Sequence, residues 1–181
     1  MSMGFVKGTQ VLSDEGYKNI EDVTMGMKLA THTGNFQIIH NIQRGQYTGT
    51  MYTVLYNANE AVVCTEEHPF YVRTYSGNYI FGEPVWKAAK DLSMNDFCGM
   101  VTNRHIPENN IQSNAVPSKK GLCLCEKRII ATVDENGTRF ESDCEYTWHE
   151  PISFTTHYVE NEVIYKLEND NSYIVDHIIV R

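Results

Sequence analysis

Short runs of apolar and β-branched residues, bounded by polar turn residues, recur along most of the chain. Residues 8–12 read as a strand that turns at Ser13-Asp14-Glu15-Gly16 into a partner over 17–20. Residues 27–31 form the next, closed by the turn His32-Thr33-Gly34-Asn35, and 36–44 alternate apolar and polar residues. Aromatic and β-branched residues fill 50–56, and Asn57-Ala58-Asn59-Glu60 turns that strand into 61–65, with 70–73 continuing the pattern. Helical spacing occurs in Trp86-Lys87-Ala88-Ala89-Lys90-Asp91-Leu92, enough for about two turns. Residues 103–120 are rich in Asn, Ser and Pro and read as a loop or insertion. Strands resume over 123–133, with a hairpin turn at Asp134-Glu135-Asn136-Gly137, where an Asn-Gly step favours positive φ at both central residues. Residues 163–167 and 172–180 close the chain as two strands around 168–171. The pattern predicts an all-β domain of many short, twisted strands.

A length of 181 residues, with 41% apolar and 21% charged positions, suits one globular domain. The formal net charge of −8 and the scattered Lys and Arg exclude a phosphate-gripping surface. Nucleic-acid binding, and with it a homing endonuclease, is not expected. No run of 18 apolar residues is present, so no membrane-spanning helix is expected. Residues 1–8 hold no signal-peptide stretch, which points to an intracellular, reducing compartment. The cysteines (Cys64, Cys98, Cys123, Cys125, Cys144) are odd in number and lack framework spacing, so they read as free thiols. A zinc site can be drawn from Cys123, Cys125, Cys98, Cys144 and His149. Structural zinc, however, wants two ligand pairs at wider spacing than Cys-Leu-Cys gives. No metal and no cofactor are expected.

Three stretches carry candidate chemistry. The first is Gly4-Phe5-Val6-Lys7-Gly8-Thr9-Gln10-Val11-Leu12, followed by Gly16-Tyr17-Lys18-Asn19-Ile20-Glu21-Asp22-Val23. The second is Cys64-Thr65-Glu66-Glu67-His68-Pro69-Phe70-Tyr71-Val72. The third runs from Val163-Ile164-Tyr165-Lys166-Leu167-Glu168 to Ser172-Tyr173-Ile174-Val175-Asp176-His177-Ile178-Ile179-Val180-Arg181. In this order and at these spacings they resemble the intein family and the wider hedgehog/intein superfamily, over residues 4–103 and 144–181. Two further stretches fit: residues 86–92 with Asp96 after them, and Trp148-His149-Glu150-Pro151-Ile152. With no endonuclease-type helical motif between the blocks, the chain resembles a mini-intein.

The resemblance implies an all-β, hedgehog/intein-type horseshoe of short twisted strands, with pseudo-two-fold character and one or two short helices. Residues 1–3 would be a start, tag or flank remnant. Residues 4–181 would be a single splicing domain with a loop or insertion at 103–145. The implied activity is single-turnover protein splicing: an N–S or N–O acyl shift, transesterification, Asn cyclisation and flank ligation. Its partners are the protein's own flanking host segments, the exteins, and the domain would be a monomer. By the same resemblance Gly4 holds the position of the Cys or Ser nucleophile, Thr65 orients or polarises the scissile group, and His68 protonates the departing amide nitrogen. An imidazole suits that role because its ordinary pKa lets it take and give a proton near neutrality. Arg181 takes the penultimate position, where the family usually has His. Lys166 stands where Asp is common and Asn171 where His is common. His177 is a possible substitute helper, although a strand over 172–180 would put it roughly 13 Å from Arg181.

Gly4 has no side chain to attack with, and no Asn follows Arg181, so the chain as given is expected to be inert. Two alternatives stay open. One is a self-cleaving domain of the hedgehog or bacterial intein-like kind, which cuts without ligating. The other is a non-catalytic β-rich binding module, in which Thr65 and His68 would lie far from both chain ends.

Overall fold

A computed structural model describes residues 2–56, 61–78, 80–102, 124–133, 136–169 and 171–181, giving backbone alone at 102, 124–133 and 140–144. The chain is all-β, built from curled sheets. Its helical content among the described residues is two three-residue 3-10 turns, Ile20–Asp22 and Ala89–Asp91.

Four strands close into a small barrel: β1 (Phe5–Val6), β6 (Asn41–Tyr56), β7 (Val62–Thr65) and β13 (Pro151–Glu168). The strands β6 and β13, of 16 and 18 residues, run antiparallel along almost their whole length. Local pattern underestimates both, because much of their length is half-buried or exposed and gives a weak apolar signal. The two-residue β1 is wedged between the other partners, with Phe5 opposite Tyr165 on one side and Cys64 on the other.

The second sheet runs β11 (Leu124–Val133), β12 (Arg139–His149), β10 (Asp96–Thr102), β8 (Pro69–Thr74), β15 (Ile178–Val180), β14 (Tyr173–Val175), β2 (Gln10–Ser13), β4 (Lys28–Ala30), β5 (Phe36–Ile38). Also in it, β3 (Gly16–Asn19) pairs with β2 and β9 (Val85–Ala88) with β8. Every residue of β14 and β15 is buried, as expected of strands covered on both faces. One core gathers Phe5, Phe70, Tyr173, Val175 and Val180, where barrel and sheet meet. Another gathers Leu12, Phe97, Trp148, Ile174 and Ile179 on the sheet's other side. Each such side chain contributes roughly 1.5–3 kcal/mol by leaving water.

Local reading is overruled at several places. Residues 86–92 are not a helix. Val85–Ala88 is a strand because β8 offers an edge, with Trp86 opposite Tyr71, and only the 3-10 turn Ala89–Asp91 follows. The run 172–180 is not one strand but a hairpin, turned at Asp176 (φ 45°) and His177 (φ 71°). The stretch 36–44 breaks between β5 and β6. The β11–β12 hairpin forms as expected, and Gly137 between its strands takes positive φ. Residues 134 and 135, the turn 57–60, the stretch 103–120 and Cys123 lie outside the described residues.

Candidate functional site

The first turn of chemistry is local. Strand β7 ends at Thr65, and the His68 N–H donates to the Thr65 carbonyl at 3.2 Å, closing a tight turn over Glu66 and Glu67. Pro69 then starts β8. The 3-10 segment pins this turn from outside: Ala89 N donates to the His68 carbonyl at 2.9 Å and Lys90 N to the Glu66 carbonyl at 3.0 Å. A Lys90–Glu67 ion pair lies over it in solvent.

Gly4, just before β1, meets this turn because Phe5 pairs with Cys64. It is buried, its N–H donates to Thr65 Oγ1 at 3.1 Å, and its carbonyl accepts from the Thr65 N–H at 3.0 Å. Thr65 is itself fully buried, and its hydroxyl therefore holds the nitrogen of the Met3–Gly4 peptide. There is little room at Gly4 for anything larger. A Cβ would lie 2.8 Å from the Tyr165 carbonyl oxygen and 3.1 Å from Ile164 Cδ1.

His68 is fully buried, with its ring 4.0 Å from that of Phe5, the residue after Gly4. Neither ring nitrogen has a hydrogen-bond partner. Buried polar atoms are almost always paired, because stripping water from one without replacement costs roughly 1–3 kcal/mol. Burial, with the charge of Lys166 adding to it, pushes the His68 pKa down to about 3, so the ring is neutral. Lys166 reaches Glu168 at 3.4 Å, and Asn41 holds the other oxygen of that carboxylate at 2.8 Å.

The chain's last residue arrives at the same turn. Val180 pairs with Phe70, and the Arg181 N–H donates to the Pro69 carbonyl at 3.3 Å. The guanidinium lies over Trp86, 5.5 Å from the ring centroid. Gly4, Thr65, His68 and Arg181 are thus assembled around one turn, although 177 positions of sequence separate the first from the last.

The other predicted residues divide. Lys166 bears on His68 as described. Asn171 sits beside the open end of the β14–β15 hairpin, where its side chain acts on His32. His177 is at the hairpin's closed tip, not in a strand. There its N–H donates to the Tyr17 hydroxyl at 3.1 Å and its ring lies against Tyr17, about 13 Å of extended chain from Arg181. Of the drawn zinc ligands, Cys98 and His149 are opposite one another on β10 and β12. Cys123, and the side chains of Cys125 and Cys144, lie outside the described residues. No group of three His, Cys, Asp or Glu that could hold a metal ion occurs among the described residues.

Sequence reading passed over His32, which looked like an ordinary turn residue. Its backbone N–H donates to Ser172 Oγ at 2.8 Å, and its Nδ1 lies 2.7 Å from the same oxygen. Its ring lies against Tyr71 and Trp86, at 5.2 and 5.9 Å. With 140 positions between His32 and Ser172, no local signal could have paired them.

No family model matches the sequence, and no curated protein does. Solved structures do match in fold. The solution structure of the bacterial intein-like domain from Clostridium thermocellum has a TM-score of 0.57 at 15% identity, covering 98% of this chain and 97% of that one. The DnaB intein from Synechocystis sp. PCC 6803 has a TM-score of 0.59 at 12% identity, covering 99% and 98%. The gp41-1 intein has 0.57 at 11%, covering 100% and 99%. At these identities the likeness is one of fold: the chain has the all-β architecture of inteins along its whole length.

Proposed function

We propose that residues 4–181 form a protein-splicing domain acting once, on its own flanking segments. The observation that carries this is His68: a buried, neutral imidazole with two unpaired nitrogens, on a turn whose Thr65 binds the backbone of Gly4 and whose Pro69 binds that of Arg181. A splicing domain needs both junctions at one place, because the acyl group freed at one must reach the other. A binding module has no use for such convergence.

At the N-terminal junction, Thr65 grips the scissile nitrogen through its hydroxyl. As a nucleophile at position 4 attacks the preceding carbonyl, that nitrogen becomes an amine and needs a proton. The His68 ring lies against Phe5, the next side chain along, and burial lets small movements of charge be felt strongly. In this chain Gly4 supplies no nucleophile, so the acyl shift does not occur here. At the C-terminal junction, the guanidinium of Arg181 stays charged and serves as an electrostatic partner, not a proton carrier.

A second reading, self-cleavage without ligation, is favoured by one observation. The space a Cβ would take at Gly4 is closed by Tyr165 and Ile164. That packing fits a domain whose N-terminal junction is silent and whose C-terminal junction still works.

The test uses Gly4→Cys with a reporter on the N-terminal side and Asn, Cys and a second reporter after Arg181. Ligated reporters on a gel support splicing, and release of the second reporter alone supports the cleavage reading. His68→Ala is expected to slow processing about 100-fold or more. A chain that neither ligates nor releases overturns the proposal.

A further inference from the structure

The rung that holds Arg181 has two sides. On one, Pro69 accepts the Arg181 N–H, next to His68. On the other, the pairing of Tyr173 with Val180 makes Ser172 the next residue opposite Arg181 in the hairpin ladder. Ser172 is fully buried, and its hydroxyl is bonded twice by His32. His32 and the Arg181 guanidinium also share the Trp86 ring, at 5.9 and 5.5 Å. His32 therefore stands one residue pair away from the C-terminal junction, delivered there by the turn between β4 and β5.

We infer that His32 is the proton-transfer residue of the C-terminal junction, with Ser172 and Asn171 as its positioning residues. The inference rests on the splicing or self-cleaving reading above and adds a residue to it. The Ser172 hydroxyl oxygen has two lone pairs, so it can accept the His32 backbone N–H and the Nδ1–H together. In that tautomer Nε2 is bare and can take up a proton. The Asn171 side chain also acts on the ring. Burial, then the charge of Arg181, holds the ring neutral, with its pKa lowered to about 4.

The step balances with a carboxamide residue placed after Arg181. Its amide nitrogen attacks its own backbone carbonyl carbon, forming a C–N bond and losing a proton to His32. The peptide C–N bond breaks, its electron pair goes to the departing nitrogen, and that nitrogen takes the proton from the same ring.

The experiment is release of a reporter fused through Asn-Cys to the full chain, compared across His32→Gln, Ser172→Ala and His68→Gln from pH 3.5 to 8. His32→Gln is expected to slow release about 100-fold at pH 7 without moving the melting temperature. The unaltered chain and His68→Gln should share an acid limb near pH 4, where His32 takes up its proton, and His32→Gln should lack it. Ser172→Ala, which keeps the ring, should slow release and displace that limb. Release by His32→Gln at the unaltered rate overturns the inference and leaves the splicing reading standing. Should His32→Gln unfold, an unchanged rate and limb in Ser172→Ala overturn it instead. A chain cleaving at neither junction overturns both.

Discussion

Gly4 and Thr65 bind each other reciprocally: the Gly4 N–H donates to the Thr65 hydroxyl and the Thr65 N–H to the Gly4 carbonyl. One residue thus satisfies both polar groups of a buried glycine that has no side chain of its own. The same pair places the nitrogen of the Met3–Gly4 peptide against a side chain that can report its state.

Removing that hydroxyl leaves the buried Gly4 N–H unpaired. Thr65→Val, which keeps the shape, is expected to lower stability by about 1–3 kcal/mol, and Thr65→Ser by far less. Urea unfolding of the two variants measures the difference; equal midpoints would show that the bond contributes nothing.

Gly4 should resist enlargement. Its φ is not the issue; the obstacle is the Tyr165 carbonyl, a backbone atom that moves only if β13 moves. Gly4→Ala is expected to cost about 1–3 kcal/mol through this overpacking and to loosen the pairing of Phe5 with Tyr165. Thermal melts and amide exchange at Val6 and Cys64 check it. A melting temperature equal to that of the unaltered chain would mean the space opens freely. Gly4→Cys carries the same handicap, so its processing is expected to be slow as well as visible.

Three histidines make the fold acid-sensitive. Burial lowers His68 to about 3, and His32 and His149 to about 4, each below the ordinary 6.5. Between the folded and unfolded values the unfolded chain binds more protons, so stability rises with pH. The contribution is fully present above 6.5 and is lost as pH falls toward 4 and then 3. Each group adds a slope of at most about 1.4 kcal/mol per pH unit within its window. Denaturant unfolding from pH 3.5 to 7.5 should show this slope, and His68→Gln should reduce it. A slope that His68→Gln leaves unchanged would place the ring in water.

Some of this was decided by the sequence alone. Short apolar and β-branched runs between turn residues are a local property, and they located β2, β3, β4, β7, β8 and the β2–β3 turn. The Thr65-Glu66-Glu67-His68 block was also legible as a resemblance, and the ordered blocks around it implied the architecture that the fold then took. Tertiary structure decided the rest. Residues 86–88 became strand because β8 had an edge to fill, and 172–180 folded back on itself because a run buried on both faces carries no phase to mark its turn. His32 met Ser172, Gly4 met Thr65, and Arg181 met Pro69 only when the sheets closed. Nothing in the residues flanking either partner anticipates such meetings. Contacts between distant positions are set by which strands pair and in what register, and that is fixed by burying the whole core at once.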